Sequence, residues 1–211
     1  MIELWIPITI LAAFSQNLRS ALQKHLKSRL STAGATYVRF FYAVPFAFLY
    51  LFILNQFFYL PLPEPNANFI IFGIIGGGTQ IIATALLVYL FSFRNFAVGT
   101  AYSKTETAQT AVFGLIILGD PLTPGAIIGI MISLVGVMAI STARQENGLK
   151  NIIQSLSQKT ALIGLASGAM FGMSAISYRA ASLSLGGEGV VIQAAYTLAS
   201  VSYTHLRAHE T

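Results

Sequence analysis

A lysine and a glutamate, Lys104 and Glu106, lie two residues apart inside a run of apolar and small polar residues that extends from Phe96 to Leu118. A charged side chain at the centre of a membrane helix costs roughly 2.5–3.5 kcal/mol on insertion scales. Such residues therefore usually mark a binding site or a pathway. The lysine would attract a carboxylate or another anion as a point charge. The glutamate would favour its protonated form when desolvated, and proton coupling is therefore a hypothesis for this residue.

The same two charges also have a purely structural interpretation, in which they join helices through ion pairs and hydrogen bonds. Most of residues 100–110 carry side chains that can hydrogen-bond, more than helix association requires, and this favours the wall of a polar cavity. In an unbroken helix Lys104 and Glu106 would be roughly 200° apart and would need different partners. We expect Glu106 to pair with Arg39 or Arg19, and Lys104 to lie nearer the substrate. The residues predicted to bind substrate are Lys104, Tyr102, Gln80, Asn17 and Gln109.

The composition indicates an integral membrane protein. Hydrophobic residues make up 55% of the chain and charged residues only 9%, whereas soluble domains carry about 25% charged residues. Long apolar runs favour helices over a β-barrel, whose strands alternate in polarity. The absence of cysteine excludes disulfides and thiolate sites. The net charge of +5 comes from basic residues in short loops, where they act as orientation signals. We therefore expect no nucleic-acid partner. We also expect no metal and no cofactor.

Apolar stretches predict the membrane spans of an all-α, polytopic helix bundle. They cover about residues 2–22, 35–54, 69–93, 96–118, 124–141 and 161–183, and a seventh begins at Val190. Between the second and third spans, three prolines within residues 61–65 predict an extended loop. After span four, Gly119 suits a helix end, Thr123 an N-cap, and Pro124 the first turn of the next helix.

Glycines in spans five and six predict close helix packing. Three of them recur at four-residue intervals in span six and therefore form one ridge, along which another backbone can approach. We expect helix contacts at Gly129, Gly136, Gly164, Gly168 and Gly172.

A weak internal repeat points to two related halves. A shift of 154 residues pairs Leu11-Ala12 with Leu165-Ala166 and Ser20-Ala21 with Ser174-Ala175. The shift is five spans long, so the second copy would insert upside down relative to the first. Inverted repeats are typical of transporters, in which the substrate site lies at the repeat interface near the bilayer midplane.

The segments Gly114–Leu122 and Ile127–Val137 resemble EamA-type members of the drug/metabolite transporter superfamily. The family usually shows Leu-Gly-Glu where this chain has Leu118-Gly119-Asp120, and Phe14–Leu18 echoes its small polar run in span one. The resemblance implies ten helices, arranged as two inverted five-helix halves around a central cavity. Residues 1–142 would then form the first half, 143–160 a polar loop, and 161–201 the start of the second half.

The resemblance implies a secondary active transporter, not an enzyme, that exports or imports small metabolites across a lipid bilayer. We expect an exporter in the bacterial inner membrane. No His-Glu-x-x-His or Gly-x-Ser-x-Gly motif is present, which also argues against a hydrolase. The alternative is a membrane-embedded ligand-binding or assembly subunit that transports nothing. Residues 202–211 differ in character from the preceding helix, and we expect them to be a non-native tail on a fragment of a longer protein.

Two arguments about orientation disagree. Lysines and arginines lie in the loops on one side of the predicted spans, and the loops of the opposite side carry only acidic charges. The positive-inside rule therefore places the N-terminus outside the cytoplasm, whereas the family resemblance implies a cytoplasmic N-terminus. The charge contrast favours the first. Arg179, near the end of span six, is expected either at the membrane interface or as the second half's contribution to the cavity.

Overall fold

A computed structural model describes residues 5–27, 29–31, 34, 38, 41–93, 96–143, 159–187 and 189–207. No strand occurs in these ranges, and the all-α prediction is confirmed. The helices are α1 Trp5–Lys27, α2 Ala43–Phe57, α3 Ala67–Leu90, α4 Phe96–Ser103, α5 Glu106–Phe113, α6 Pro124–Ala143, α7 Lys159–Ser184 and α8 Val190–Arg207.

Two of these helices, α3 and α7, are long and apolar enough to cross a membrane by themselves. The helices α2, α6 and α8 contain shorter apolar segments, of 10–17 residues. Large apolar side chains remain exposed along most of the bundle, including Ile74, Phe46 and Ile132. Such an outer surface suits lipid and would be unfavourable in water, so the fold is that of a helical membrane bundle.

The helix α7 lies at the centre of the bundle, in a groove between α3 and span four. It runs antiparallel to α3, because Asn66 at the start of α3 donates a hydrogen bond to the Ser184 carbonyl at the end of α7. Further along the pair, the hydroxyl of Ser167 donates to the Ala83 carbonyl at 2.9 Å. In the same way, the hydroxyl of Ser174 donates to the Gly76 carbonyl at 2.9 Å. Serine thus joins the two helices where apolar contacts alone would not fix their register.

Three glycines of α7 lie against the backbone of span four, which runs parallel to α7. A Cβ at Gly164 would overlap the Gly99 carbonyl oxygen, and one at Gly168 would lie 2.9 Å from the Ser103 carbonyl oxygen. At Gly172 the added atom would lie 3.0 Å from Thr110 Oγ1. Only glycine permits so close an approach of two helices.

The two predicted packing glycines of α6 are placed differently. A Cβ at Gly129 or Gly136 would meet nothing within 4 Å, and both residues are exposed. A packing role for them therefore stays a prediction.

The turn between span four and α6 follows the predicted chemistry. Gly119 has a left-handed backbone with φ 70° and ends a π-helical turn that spans Gly114–Leu118. Thr123 caps the next helix, since its Oγ1 accepts a hydrogen bond from the Ala126 amide at 3.2 Å, and α6 begins at Pro124. Residues 59–66, which contain the three prolines, form neither helix nor strand, and the backbone is extended at Asn66, directly before α3.

The remaining helices pack at the sides of this centre. Leu54 of α2 forms a buried cluster with Ile192 and Ala195 of α8. The helix α8 continues through Arg207, so residues 202–207 are helical, and a non-native origin for them stays a prediction. Residues 6–18 of α1 are exposed, and only the second half of this helix approaches the bundle.

Candidate functional site

Span four is broken in its middle, at Lys104 and Thr105, which separate α4 from α5. The amides of both residues donate to carbonyls three positions back, at 3.0 and 3.1 Å, instead of four. Two hydroxyls bond to carbonyls of the same turn. Ser103 Oγ donates to the Thr100 carbonyl at 2.8 Å, and Thr105 Oγ1 donates at 2.7 Å to the Tyr102 carbonyl, which also accepts from the Thr105 amide. Such side-chain bonds weaken a helix locally. The α-helix is therefore interrupted at Lys104, whose side chain is exposed, while the side chain of Ser103 is buried.

The sequence predicts an unbroken helix here, and the break changes the relation between its two charges. Lys104 lies in the turn and is exposed, whereas Glu106 opens α5 and is half-buried. The break is held against α7, where Gly168 leaves room for the Ser103 carbonyl and the Glu106 amide. The two charged side chains therefore belong to different local structures, although only two residues separate them.

A cavity of about 290 Å³ lies beside the break, between α1, α3 and span four. The polar side chains come from α1 and span four, and most of the wall is apolar, with Leu87 of α3, Phe91 directly after α3 and Ala21 of α1. Its lining residues are Asn17, Ser20, Ala21, Lys24, Leu87, Phe91, Thr100, Ser103 and Lys104. The cavity brings together two of the predicted substrate-binding residues, Lys104 and Asn17.

Lys24 and Ser20 also line the cavity, although neither was predicted from the sequence to lie there. Span one was expected to end at Leu22, which would leave Lys24 in a loop as an orientation signal. The helix α1 instead continues to Lys27, so Asn17, Ser20 and Lys24 follow one another along a single helix face at intervals of three and four. That spacing of polar residues was the available signal.

Glu106 lies on the side of Arg19, its predicted partner in α1. The guanidinium of Arg19 is close enough to Glu106 for the two charges to attract each other. The other predicted partner, Arg39, lies outside the described residues. One turn after Arg19, Gln23 is 4% exposed, and its side-chain amide has no hydrogen-bond partner in the described part of the chain.

Three predicted substrate-binding residues are directed away from the cavity. Tyr102 is 1% exposed and packs in a cluster with Val137 and Ala161. Gln80 Oε1 lies 2.8 Å from the hydroxyl of Ser174. Gln109 donates to Thr105 Oγ1 at 2.9 Å. These side chains hold the bundle together around α7, and a role in substrate binding stays a prediction for them.

Arg179 of α7 forms an ion pair with Asp120, the acidic residue of the Leu-Gly-Asp segment. The guanidinium makes two contacts, one of them between Nη2 and Oδ1 at 3.2 Å. Both side chains are partly exposed, and the pair joins the turn after span four to the end of α7. In the described ranges, no group of three or more His, Asp or Glu side chains converges as a metal site would require.

The comparison with known proteins decides the family. Residues 3–142 match the model of the EamA-like transporter family. The chain belongs to this family. No curated protein and no solved structure shows significant similarity to it.

An EamA-like transporter is a membrane protein that acts on small molecules, and this chain is a transporter of the drug/metabolite type. The match includes the whole of span four, its break, and the turn at Asp120. Family members are transporters and not enzymes. The cavity beside Lys104 therefore lies within the part of the chain that carries the family relationship.

Proposed function

We propose that this protein is a multi-pass secondary active transporter that exports small metabolites across the bacterial inner membrane. One observation carries the proposal: a cavity lined by Lys104 lies at a break in a membrane helix and is shared with Asn17 and Lys24 of another helix. Discontinuous helices at membrane depth are typical of transporter binding sites, because backbone groups freed at the break can contact a ligand.

The position of the cavity supports the direction of export. Lys24 and Phe91 lie near the ends of α1 and α3 that lead into the basic loops. By the positive-inside rule those loops face the cytoplasm. A cavity near them can take up substrate from the cytoplasm, as export requires.

The neighbouring charge pair supports coupling to protons. Glu106 lies beside the break, and the charge of Arg19 acts on it across the gap between α1 and span four. A proton taken up by Glu106 would remove this attraction, and α1, which also forms one wall of the cavity, would be held less firmly. Protonation and access to the cavity would then be linked.

Transport by the purified protein in liposomes tests the proposal. A pool of radiolabelled small metabolites, including amino acids, dicarboxylates and sugar phosphates, serves as the probe, and accumulation is measured under a pH gradient. We expect K104Q to reduce transport at least tenfold and K104R to retain part of it, because the arginine keeps the charge. The matched control is R29Q, which removes a positive charge from an exposed residue outside the cavity. Binding without any transport in the wild type would favour a ligand-binding or assembly subunit instead.

A further inference from the structure

We propose that Gln23 of α1 is a second partner for the Arg19 guanidinium, which turns to it when Glu106 takes up a proton. The inference rests on the proposed function only in assigning this exchange to a transport cycle. Arg19 Nε, a buried donor, and Gln23 Oε1, a buried acceptor, both lack a hydrogen-bond partner in the described part of the chain. Gln23 is 4% exposed, so its amide has little access to solvent.

Arg19 and Gln23 are neighbours on one face of α1. They are four residues apart, a spacing that brings the Cβ atoms of a helix to about 5–6 Å and lets the two side chains interact. A buried polar group without a hydrogen bond is unfavourable. A bond from Arg19 Nε to Gln23 Oε1 would satisfy both atoms and requires only side-chain rotation, yet this structure does not contain it. The described state therefore keeps apart a donor and an acceptor that could pair.

The charge of Glu106 accounts for this separation. It attracts the Arg19 guanidinium across the gap between α1 and span four, and an ionised acceptor competes well against a neutral amide. Within the eight described helices, Glu106 is the only acidic residue. The helix α6 has no titratable side chain, and the others around this pair are basic or phenolic. They are Lys24, His25, Lys27, Tyr89, Tyr102, Lys104, Lys159, Tyr178 and Arg179. Protonation of Glu106 therefore removes the one carboxylate that these helices offer to Arg19.

Gln109 is the competing partner for the released guanidinium. Its Oε1, one turn after Glu106, is also buried and without a hydrogen bond in the described part of the chain. Its amide nitrogen, however, is already bonded to Thr105 Oγ1 at 2.9 Å and to the Leu165 carbonyl at 3.4 Å, whereas neither amide atom of Gln23 is bonded. Transfer to Gln109 would keep α1 attached to span four. Transfer to Gln23 returns the charge to its own helix and detaches α1.

Melting temperatures of the purified 211-residue chain in neutral detergent test this inference without requiring transport. The substitution Q23M keeps the size of the side chain and removes its polar atoms. In the wild type we expect it to leave the melting temperature unchanged or raise it slightly, because it removes a buried group that has no partner. In E106Q, which lacks the carboxylate, the same substitution should lower the melting temperature by several degrees, since Gln23 is then the partner of Arg19.

Further variants assign the effect to Arg19. The matched control is Q16M, at an exposed glutamine of the same helix, which should shift the melting temperature equally in the wild type and in E106Q. Adding R19M to E106Q should abolish the destabilisation by Q23M. The comparison is repeated in E106M, a second variant without the charge, and a helical circular dichroism spectrum is required of every variant.

Several results would overturn the inference. Equal effects of Q23M with and without the Glu106 charge would show that Gln23 has only a structural role. Destabilisation of E106Q by Q109M in place of Q23M would assign the released guanidinium to span four. Persistence of the Q23M effect in R19M would exclude Arg19 as the partner. A charge-dependent effect of Q23M in a protein that transports nothing would keep this inference and reject the proposed function, while proton-driven transport with equal Q23M effects would do the opposite.

Discussion

Glu106 and Lys104 show how two neighbouring charges can serve different purposes. Lys104 lines the cavity, whereas Glu106 opens α5 and is attracted by Arg19. In the proposed mechanism, the ionised carboxylate of Glu106 would hold α1 through Arg19, and the protonated form would release it. The pair Glu106–Arg19 is therefore where we expect proton movement to act, and Lys104 is where we expect a ligand to act.

The variant E106Q tests this division. The amide keeps the size of the side chain but cannot exchange a proton, so we expect accumulation driven by a pH gradient to fall to background. Exchange of substrate between equal concentrations should continue, because it needs no net proton transfer. The matched control is E64Q, in an exposed loop residue, which should retain both activities. Gradient-driven accumulation in E106Q would refute the coupling role.

The ion pair between Asp120 and Arg179 is expected to contribute little to stability. The side chains are 35% and 52% exposed, respectively, and exposed pairs are typically worth 0–1 kcal/mol. A double-mutant cycle with D120N and R179Q should therefore give a coupling energy below about 1 kcal/mol in thermal unfolding. A value above about 2 kcal/mol would show that the pair is shielded from solvent in the membrane.

At the scale of helices, the contact between α7 and span four depends on glycine. We expect G164A to destabilise the protein by about 1–3 kcal/mol, because the added methyl group overlaps the Gly99 carbonyl and one backbone must move. G78A makes the same chemical change at a helical position with nothing within 4 Å. It should be neutral or stabilise by up to about 1 kcal/mol. Melting temperatures of the two variants provide the measurement, and equal effects would contradict this packing.

The sequence was informative where local chemistry decides structure and weaker where it does not. Gly119, Thr123 and Pro124 fix a turn through their own backbone and capping preferences, and the structure confirms all three. The end of α1 was placed too early, because the apolar pattern ends near Leu22 while the helix continues with polar residues toward a cavity. The break at Lys104 was missed, since hydroxyls such as those of Ser103 and Thr105 can also bond within an intact helix.

The placement of the site residues depended on helix contacts that one sequence does not reveal. Lys104 and Asn17 are far apart in the chain but share a cavity. Tyr102 and Gln109 are close to Lys104 in sequence but belong to the contacts around α7. The glycines of α7 determine which side of span four faces α7. This orientation is visible only in the packing of the two helices.

For the molecule as a whole, the charge distribution predicts its orientation. Lys159 at the start of α7 lies near Phe93, which follows the end of α3, with its ammonium group 5.9 Å from the ring centre. The start of α7 and the end of α3, both next to basic loops, therefore lie on the same side of the bundle. The opposite side carries Asp120 and the Asn66 contact with Ser184. The positive-inside rule assigns the basic side to the cytoplasm.

Labelling of introduced cysteines tests this orientation, and the chain is suited to it because it has no cysteine of its own. A membrane-impermeant maleimide should label Q56C in intact cells. It should label R29C only after the membrane is permeabilised. Both wild-type residues are exposed, so each position serves as the control for the other. The reverse pattern would place the N-terminus in the cytoplasm.

The location of α7 in the groove between α3 and span four has a consequence for biosynthesis. The two walls of the groove are made first, and the helix that fills it is complete only at Ser184, well after Leu118 has left the ribosome. At roughly 5–20 residues per second, the groove stays unfilled for several seconds. During that time the Gly76 and Ala83 carbonyls lack the serine hydroxyls that later reach them. The partly synthesised chain is therefore the state on which insertion chaperones and membrane proteases would act.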